Sequence, residues 1–541
     1  MLLRGQMMDR PLLLAPLMEF AAMCHGDTPI VTRSVEGPLH RTTYGETYGR
    51  IQRLANALVR LGVKPGDRVA TLAWNTWRHF ELYFAIAGIG AVCHTLNPRL
   101  PPDQLKFIIN NAEDRLIFFD LTFIGLIAAL DNVSPSVTET IVLTDVAHIP
   151  DDPRFQSVLV YEDLIAPEPD TFTWPTFDER TAASLCYTSG TTGNPKGVLY
   201  SHRALILHSY ALATNISVTA EDVSLPVVPM FHVNAWGMPY SAPMSGSALV
   251  FAGAAMDGPS LFELMDTEGV TCAQGVPTIW IGLLDQMRAL GRKPSALTRV
   301  TVGGAAVPES MVDAFERDFG VEVCHGWGMT EMSPAGVINT PKAKFKKLSA
   351  AEQKKRKLKQ GRLLFGVDMR IVDGAGKVLP NDGDSSGHIQ VRGPWIIESY
   401  FKETQSALTP DGWFDTGDIG TLDTDGFLQL TDRAKDIIKS GGEWISSVEL
   451  ENAAVGHPGI AQAAVIGVAH PLWQERPLLI CVAKGAARPS LADLNAFLLT
   501  KVPKWWLPDA LEFVDSLPLG ATGKVQKTLL RERFRDYHLE A

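Results

Sequence analysis

Apolar positions along the chain follow two periods, and the switching between them carries the first structural information. Leu13, Leu14, Leu17, Met18 and Phe20 recur at helical spacing. Ile51, Leu54, Ala55, Leu58 and Leu61 repeat that spacing more clearly, at i, i+3, i+4 and i+7. Gly62 then stands where a closing glycine belongs, with Pro65 as a stop. Residues 69–73 predict a strand, 81–92 an apolar helix and 116–119 a buried strand. Strands separated by helices at this spacing predict an α/β fold with a mostly parallel, helix-covered sheet. Further strands are expected at 182–187, 198–200, 224–228, 300–302 and 321–324, with a helix opening at Ser201. From 361 to 439 the pattern turns β-rich and punctuated, with strands at 369–372, 388–392 and 427–430. The last hundred or so residues, with strands at 463–468 and 478–482 and a helix at 491–500, have the length of one small α+β domain. A domain boundary is therefore expected near 432–436.

Between two of these strands lies Thr188-Ser189-Gly190-Thr191-Thr192-Gly193-Asn194-Pro195-Lys196-Gly197. Glycines let the backbone turn tightly and expose N–H groups, while four hydroxyls and Lys196 add donors. That combination suits a polyphosphate. A Walker loop would run from Gly-Lys-Ser/Thr straight into a helix; here Lys196 is followed by Gly197 and a second strand, so a hairpin is expected. Strands at 224–228, 300–302 and 321–324 end in small or polar clusters: 229–237 with His232 and Trp236, Gly303 to Ala306, and His325 to Glu331. Ligands in open α/β sheets collect at such strand ends.

Composition narrows the class. A net charge of −11 over 541 residues argues against a nucleic-acid surface, so an anionic ligand must be met by local groups. One segment departs from this balance: residues 342–359 hold nine Lys/Arg against the single acid Glu352. It reads either as a solvated helix, with Ser349 and Glu352 as a capping box, or as a landing strip for an anionic cosubstrate. The six cysteines are scattered, with neither a C-x-x-C pair nor a His cluster at ligand spacing, as in a reduced compartment. Residues 12–18 are too short for a membrane span and are broken by Pro16. A cytoplasmic protein is expected.

Asp418 closes a turn-rich run from Asp411, and Arg433 follows in Asp432-Arg433-Ala434-Lys435-Asp436. A carboxylate and a guanidinium can grip a vicinal diol. Ser440-Gly441-Gly442-Glu443-Trp444 is a second glycine loop, and Lys524 sits on a glycine-flanked turn. Together and in this order, the segments from Tyr187 to Lys527 resemble the adenylate-forming superfamily of acyl-CoA synthetases, luciferases and peptide-synthetase adenylation domains. The resemblance implies a large N-terminal domain (1–432) of two helix-flanked sheets and a small β-barrel, which binds ATP and the acid. It further implies a hinge (433–436) and a mobile α+β C-terminal domain (437–541). Carried over by position, Thr188, Ser189, Gly190, Thr191, Thr192, Gly193 and Lys196 hold phosphates. Gly304, Ala305 and Ala306 with Gly326, Trp327, Gly328 and Met329 complete the ATP site. Thr330 contacts phosphate, Glu331 is the Mg²⁺ ligand, and Asp418 and Arg433 take the ribose. Lys435 is the hinge residue, Lys524 the catalytic lysine, and Ser440 to Trp444 the CoA-side loop. His232, Trp236 and Gly304 wall the acyl pocket, with His232 also in a catalytic place.

The implied reaction joins a carboxylic acid to CoA through an acyl-adenylate, using ATP, Mg²⁺ and CoA. Amino-acid-activating members usually carry an aspartate after the aromatic of 231–234; Phe231-His232-Val233-Asn234 has none. The chain is similar to medium-chain fatty-acyl-CoA ligases and to methylmercaptopropionate-CoA ligases, and both acids remain open. The alternatives are an adenylation enzyme loading another carboxylic or aryl acid onto CoA or a carrier protein, and a non-catalytic nucleotide-binding regulator. The regulator predicts loss of Lys524 or Glu331, and both are present. A homodimer is the candidate assembly. Lys524 also lies in a context resembling that in which bacterial acyl-CoA synthetases are acetylated.

Overall fold

The computed structural model describes residues 3, 5–130, 134–188, 194–441, 443–520 and 524–539. Three sheets carry the architecture. The first has seven strands, ordered Leu159–Val160, Glu139–Val142, Asp114–Phe119, Arg68–Leu72, Val92–Thr95, Ala182–Tyr187 and Gly197–Ser201. All its neighbours are parallel except the last pair, a hairpin. The amphipathic helix Tyr44–Arg60 buries the predicted stripe Ile51, Leu54, Ala55 and Leu58 completely. Each large apolar side chain so buried contributes roughly 1.5–3 kcal/mol. Its start is fixed by a capping box between Thr43 and Glu46, and Gly62 follows with φ +77°.

One expected helix is displaced. It spans Trp77–Gly88 rather than 81–92, and Val92 opens a strand. Thr76 caps it by accepting from the His79 N–H. Every residue of the helix is buried, so no polar face marks its ends, and the chain turns at Gly90 with φ +83°.

The second sheet is a continuous path of thirteen strands. Its core of Val223–Pro226, Ala248–Phe251, Cys272–Gly275, Arg299–Val302 and Glu322–Gly328 is parallel. The region expected as a small barrel is an antiparallel ladder continuous with this core. The join is the strand Glu322–Gly328, which pairs parallel with Arg299–Val302 up to His325 and antiparallel with Ala335–Ile338 beyond it. The expected strand end at Cys324 is therefore too early. Alternation continues through it, with Val323, His325 and Trp327 turned inward, so the residues read as a polar cluster are still strand. Likewise Phe414–Leu422 is a strand where a turn-rich segment was expected. It places Asp418 directly opposite Arg433 in the ladder with Phe427–Arg433. The third sheet holds Ile438–Ser440, Glu443–Ile445, Ile460–His470, Gln474–Ala483 and Ala510–Phe513 around its own core. No helix among the described residues is long and apolar enough to cross a membrane.

Candidate active site

The hydroxyl-rich loop hangs from the hairpin of the first sheet. Tyr187 pairs with Gly197, and beyond them Thr188 N–H donates to the Lys196 carbonyl at 2.9 Å while Lys196 N–H donates to Thr188 Oγ1 at 3.3 Å. Ser189, Gly190, Thr191, Thr192 and Gly193 lie outside the described residues. The Lys196 ammonium stands 4.7 Å from the ring centre of Tyr400. After the second strand, Ser201 caps the helix His202–Ile216, as the sequence predicts.

In the second sheet, the strand Arg299–Val302 delivers Gly303 and Gly304. A Cβ on Gly303 would lie 2.9 Å from Trp236 Cη2, so glycine is what lets the indole lie against this backbone. Gly304 has φ +79°, and a Cβ there would lie 3.9 Å from both Trp236 Cζ2 and Lys524 Cε. Lys524 of the C-terminal segment thus reaches the strand end that bears the predicted acyl pocket. Ala305 and Ala306 continue this edge.

Trp236 is held by unusual backbone. Val233, Asn234, Ala235 and Trp236 all have φ between +46° and +55°, and Gly237 follows at +82°. A left-handed turn of non-glycine residues costs roughly 1–2 kcal/mol per residue. Here one residue of the turn is tied to a distant strand, and the stretch leading into it is tied to Asn75. Asn234 is buried, and its Oδ1 accepts from Ser184 Oγ at 3.1 Å, on the strand leading to the phosphate loop. Asn75 Oδ1 accepts from Met230 N–H, and its amide donates to the Pro226 and Val228 carbonyls. His232 keeps some solvent contact but is enclosed by protein. Burial first, then the Lys524 ammonium and Arg99, holds its imidazole down at about 4, so it is neutral at pH 7.

The strand Glu322–Gly328 supplies a second wall. Trp327 Nε1 donates to Asp418 Oδ2 at 2.8 Å, and Arg433 Nε pairs with Asp418 Oδ1 at 2.7 Å. Asp418 is buried while Arg433 is partly exposed. Burial raises the Asp418 carboxyl above its ordinary range, with Arg433 and Trp327 opposing that rise. Gly328 packs against the Pro334 carbonyl where no Cβ would fit. Thr330 and Glu331 follow in a short 3₁₀ turn, Thr330–Met332. Tyr200 donates to the Thr330 carbonyl at 2.7 Å, and Tyr400 donates to Glu331 Oε1 at 2.8 Å. Lys524 is water-accessible in the cleft yet ringed by protein. That crowding and Arg433 lower the affinity of its amine for a proton, while Asp418 and Glu331 support the charge. Water in the open cleft tempers the crowding.

The structure therefore brings together Gly304, Trp236, His232, Lys524, Asp418, Arg433, Trp327 and Glu331. It does not bring the glycine loop of the C-terminal segment to them. Ser440 is buried and accepts from Arg476 Nη1 at 3.2 Å, and Gly441 N–H donates to the Trp473 carbonyl, both within the third sheet's own domain. Glu443 and Trp444 are exposed on the strand that follows, and Gly442 lies outside the described residues. Lys435 is exposed beside Asp436, which pairs with Arg531 at 2.7 Å.

The basic segment resolves toward the structural alternative. Its helix Ala350–Lys357 begins with the expected Ser349–Glu352 capping box. Six of its nine cations are neutralised: Lys342, Lys344, Arg356 and Lys359 pair with Asp423 or Asp425, Lys354 with Glu309 and Asp313, and Lys357 with Glu316 and Glu322. Sequence reasoning missed Tyr400 and Arg99. Arg99 could have been found from its place just beyond the parallel strand Val92–Thr95. Tyr400, in an irregular stretch, has no periodic signal.

With fold and geometry in place, the chain's class follows. Residues 18–401 match the AMP-binding enzyme family and residues 449–524 the AMP-binding enzyme C-terminal domain. The chain belongs to the AMP-binding enzyme family. It is 52% identical to a 3-methylmercaptopropionyl-CoA ligase of Ruegeria lacuscaerulensis, covering 98% of this chain and 99% of that one. It is 48% identical to a medium-chain-fatty-acid–CoA ligase of Ectopseudomonas oleovorans, covering 99% and 98%. Among solved structures, ATP-bound MatB from Rhodopseudomonas palustris superposes with a TM-score of 0.81 at 27% identity, over 97% of this chain and 99% of that one.

Proposed function

We propose that the protein is an AMP-forming acyl-CoA ligase that activates a medium-chain fatty acid or a short thioether acid such as 3-methylmercaptopropionate. The observation that carries this reading is the approach of Lys524 to Gly304, beside Trp236 and His232, with Asp418 and Glu331 facing the same ammonium. A carboxylate lying against Gly304 attacks the α-phosphorus of ATP, forming the acyl-adenylate and expelling pyrophosphate. Negative charge grows on the α-phosphate oxygens, and Lys524 is the fixed cation that meets it. Thr188 and Lys196, with the loop between them, hold the departing pyrophosphate, and Asp418 with Arg433 takes the ribose diol. Neutral His232, Trp236 and Gly304 wall an uncharged acyl tail.

Mg²⁺ fits this site. Among the described residues no three His, Cys, Asp or Glu side chains gather as a metal cage. Glu331, with only one oxygen engaged by Tyr400, supplies the single carboxylate that a phosphate-borne Mg²⁺ takes. When bound, the ion neutralises phosphate charge. The second half-reaction uses the 433–436 segment as a hinge at Lys435, turning the C-terminal domain so that the 440–444 loop replaces Lys524 and the CoA thiol attacks the acyl carbonyl, releasing AMP. The unpaired cysteines support a cytoplasmic setting. The test is ATP–pyrophosphate exchange across a panel of carboxylic acids, followed by product analysis with CoA. Exchange with C6–C10 fatty acids or 3-methylmercaptopropionate, and CoA-dependent thioester, are expected. Exchange without any acyl-CoA product would overturn the ligase reading.

A further inference from the structure

Residues 394–403 cross behind the site as an irregular strap that fastens two separate parts of it. Phe401 N–H donates to the Gly197 carbonyl at 2.8 Å, holding the exit of the phosphate hairpin, and Ile397 N–H donates to the Glu331 carbonyl at 2.9 Å. Tyr400, between these two anchors, repeats the bridge with its side chain. Its hydroxyl donates to Glu331 Oε1 at 2.8 Å, and its ring lies 4.7 Å from the Lys196 ammonium. Both Tyr400 and Glu331 line an open cavity of about 400 Å³.

We propose that Tyr400 is a positioning residue for the adenylation half-reaction: its hydroxyl fixes the Glu331 carboxylate through one oxygen, leaving the other without a hydrogen bond among the described residues, and its ring holds Lys196 alongside. The inference rests on the reading of Glu331 and Lys196 given above. A carboxylate free to rotate must be ordered each time a metal–nucleotide complex binds; one already held by a hydroxyl donor is not. Outer hydrogen bonds of this kind typically shift metal affinity by about 10- to 100-fold. The face of an aromatic ring attracts an ammonium by about 0.5–1 kcal/mol at an exposed site, roughly a two- to fivefold effect on binding. The two halves of the side chain can therefore be separated: Tyr400→Phe removes the hydroxyl and keeps the ring, whereas Tyr400→Leu removes both.

The experiment uses the full chain and Mn²⁺ as a spectroscopic probe. Free Mn²⁺ is followed by electron paramagnetic resonance in the presence of a non-hydrolysable ATP analogue, and analogue binding is measured separately in EDTA. Tyr400→Phe is expected to raise the Mn²⁺ half-saturation about tenfold and to leave metal-free analogue binding unchanged. Tyr400→Leu is expected to weaken analogue binding as well, by about threefold. Glu331→Gln and Lys196→Met serve as reference variants. If neither changes metal or nucleotide binding, the functional reading of those residues is wrong. If both do while Tyr400→Phe matches wild type, the positioning role is overturned. A lowered melting temperature with unchanged Mn²⁺ binding would likewise overturn it, since that is the mark of packing alone.

Discussion

Lys524 stands among charges of both signs: Asp418 and Glu331 favour its proton, and Arg433 opposes it. A cation so placed is most useful where charge develops during reaction, which sets a sharp expectation for its removal. Lys524→Ala should lower adenylate formation by at least about a hundredfold while leaving thioester formation from supplied acyl-adenylate near wild type; equal loss in both half-reactions would refute the division of labour. The Asp418 carboxylate gives a second expectation. Trp327→Phe removes the indole N–H from a buried carboxylate and leaves the Arg433 pair intact. Hydrogen bonds to charged groups contribute about 1.5–3 kcal/mol, so the KM for ATP should rise about tenfold or more, with the KM for the acid unmoved. A parallel rise in both would show that Trp327 serves general packing.

Among the elements, the left-handed turn 233–236 and the Gly303–Gly304 strand end define the acyl side jointly. Gly303→Ala pushes a methyl toward Trp236 Cη2, where 2.9 Å is too close for any real contact. Acid preference should therefore change, with KM rising several-fold for the best wild-type acid and pyrophosphate exchange surviving; an unchanged acid profile would remove Trp236 from the pocket wall. This side also shows what the chain made legible. The strand ends at Val302 and Tyr187 follow from short apolar runs closed by Gly303 and by the hydroxyl-rich loop, and helix 44–60 from its stripe, whereas the strand expected to reach 228 stops at Pro226. The left-handed turn does not follow in this way, because no periodicity announces a conformation tied down from elsewhere in the chain, as by the Ser184 hydroxyl on Asn234. The Asp418–Arg433 pair was legible as chemistry but not as structure: aspartates and glycines read as turns, while the ladder that places the pair face to face depends on partners elsewhere in the chain. The basic segment left two readings open, since two of the acids that pair with it, Asp423 and Asp425, lie far along the sequence.

For the whole molecule, histidines enclosed by protein contribute to the response to acid. His79, His202, His208, His232 and His325 are all held well below the ordinary 6.5 by burial, His208 lowest at about 3. Buried Asp120, raised by burial to about 7, works in the opposite sense. For His208 the sign is clear: the unfolded chain takes up its proton near 6.5 and the folded chain only near 3. The stability this residue contributes is present above 6.5 and lost as pH falls toward 3, by about 1.4 kcal/mol per pH unit. His208→Asn removes that proton, so the gap in melting temperature between wild type and variant should shrink steadily from pH 6.5 to pH 4. A gap independent of pH would show that His208 protonates normally in the fold.

The chemistry that joins these scales is attack of a substrate carboxylate on the α-phosphorus, and isotope labelling tests it most directly. With acid labelled by ¹⁸O in both carboxyl oxygens, and with ATP and CoA present, each turnover should place one ¹⁸O atom in AMP and leave the other in the acyl-CoA carbonyl. Label appearing in inorganic phosphate alongside ADP, or AMP formed without label, would contradict the account.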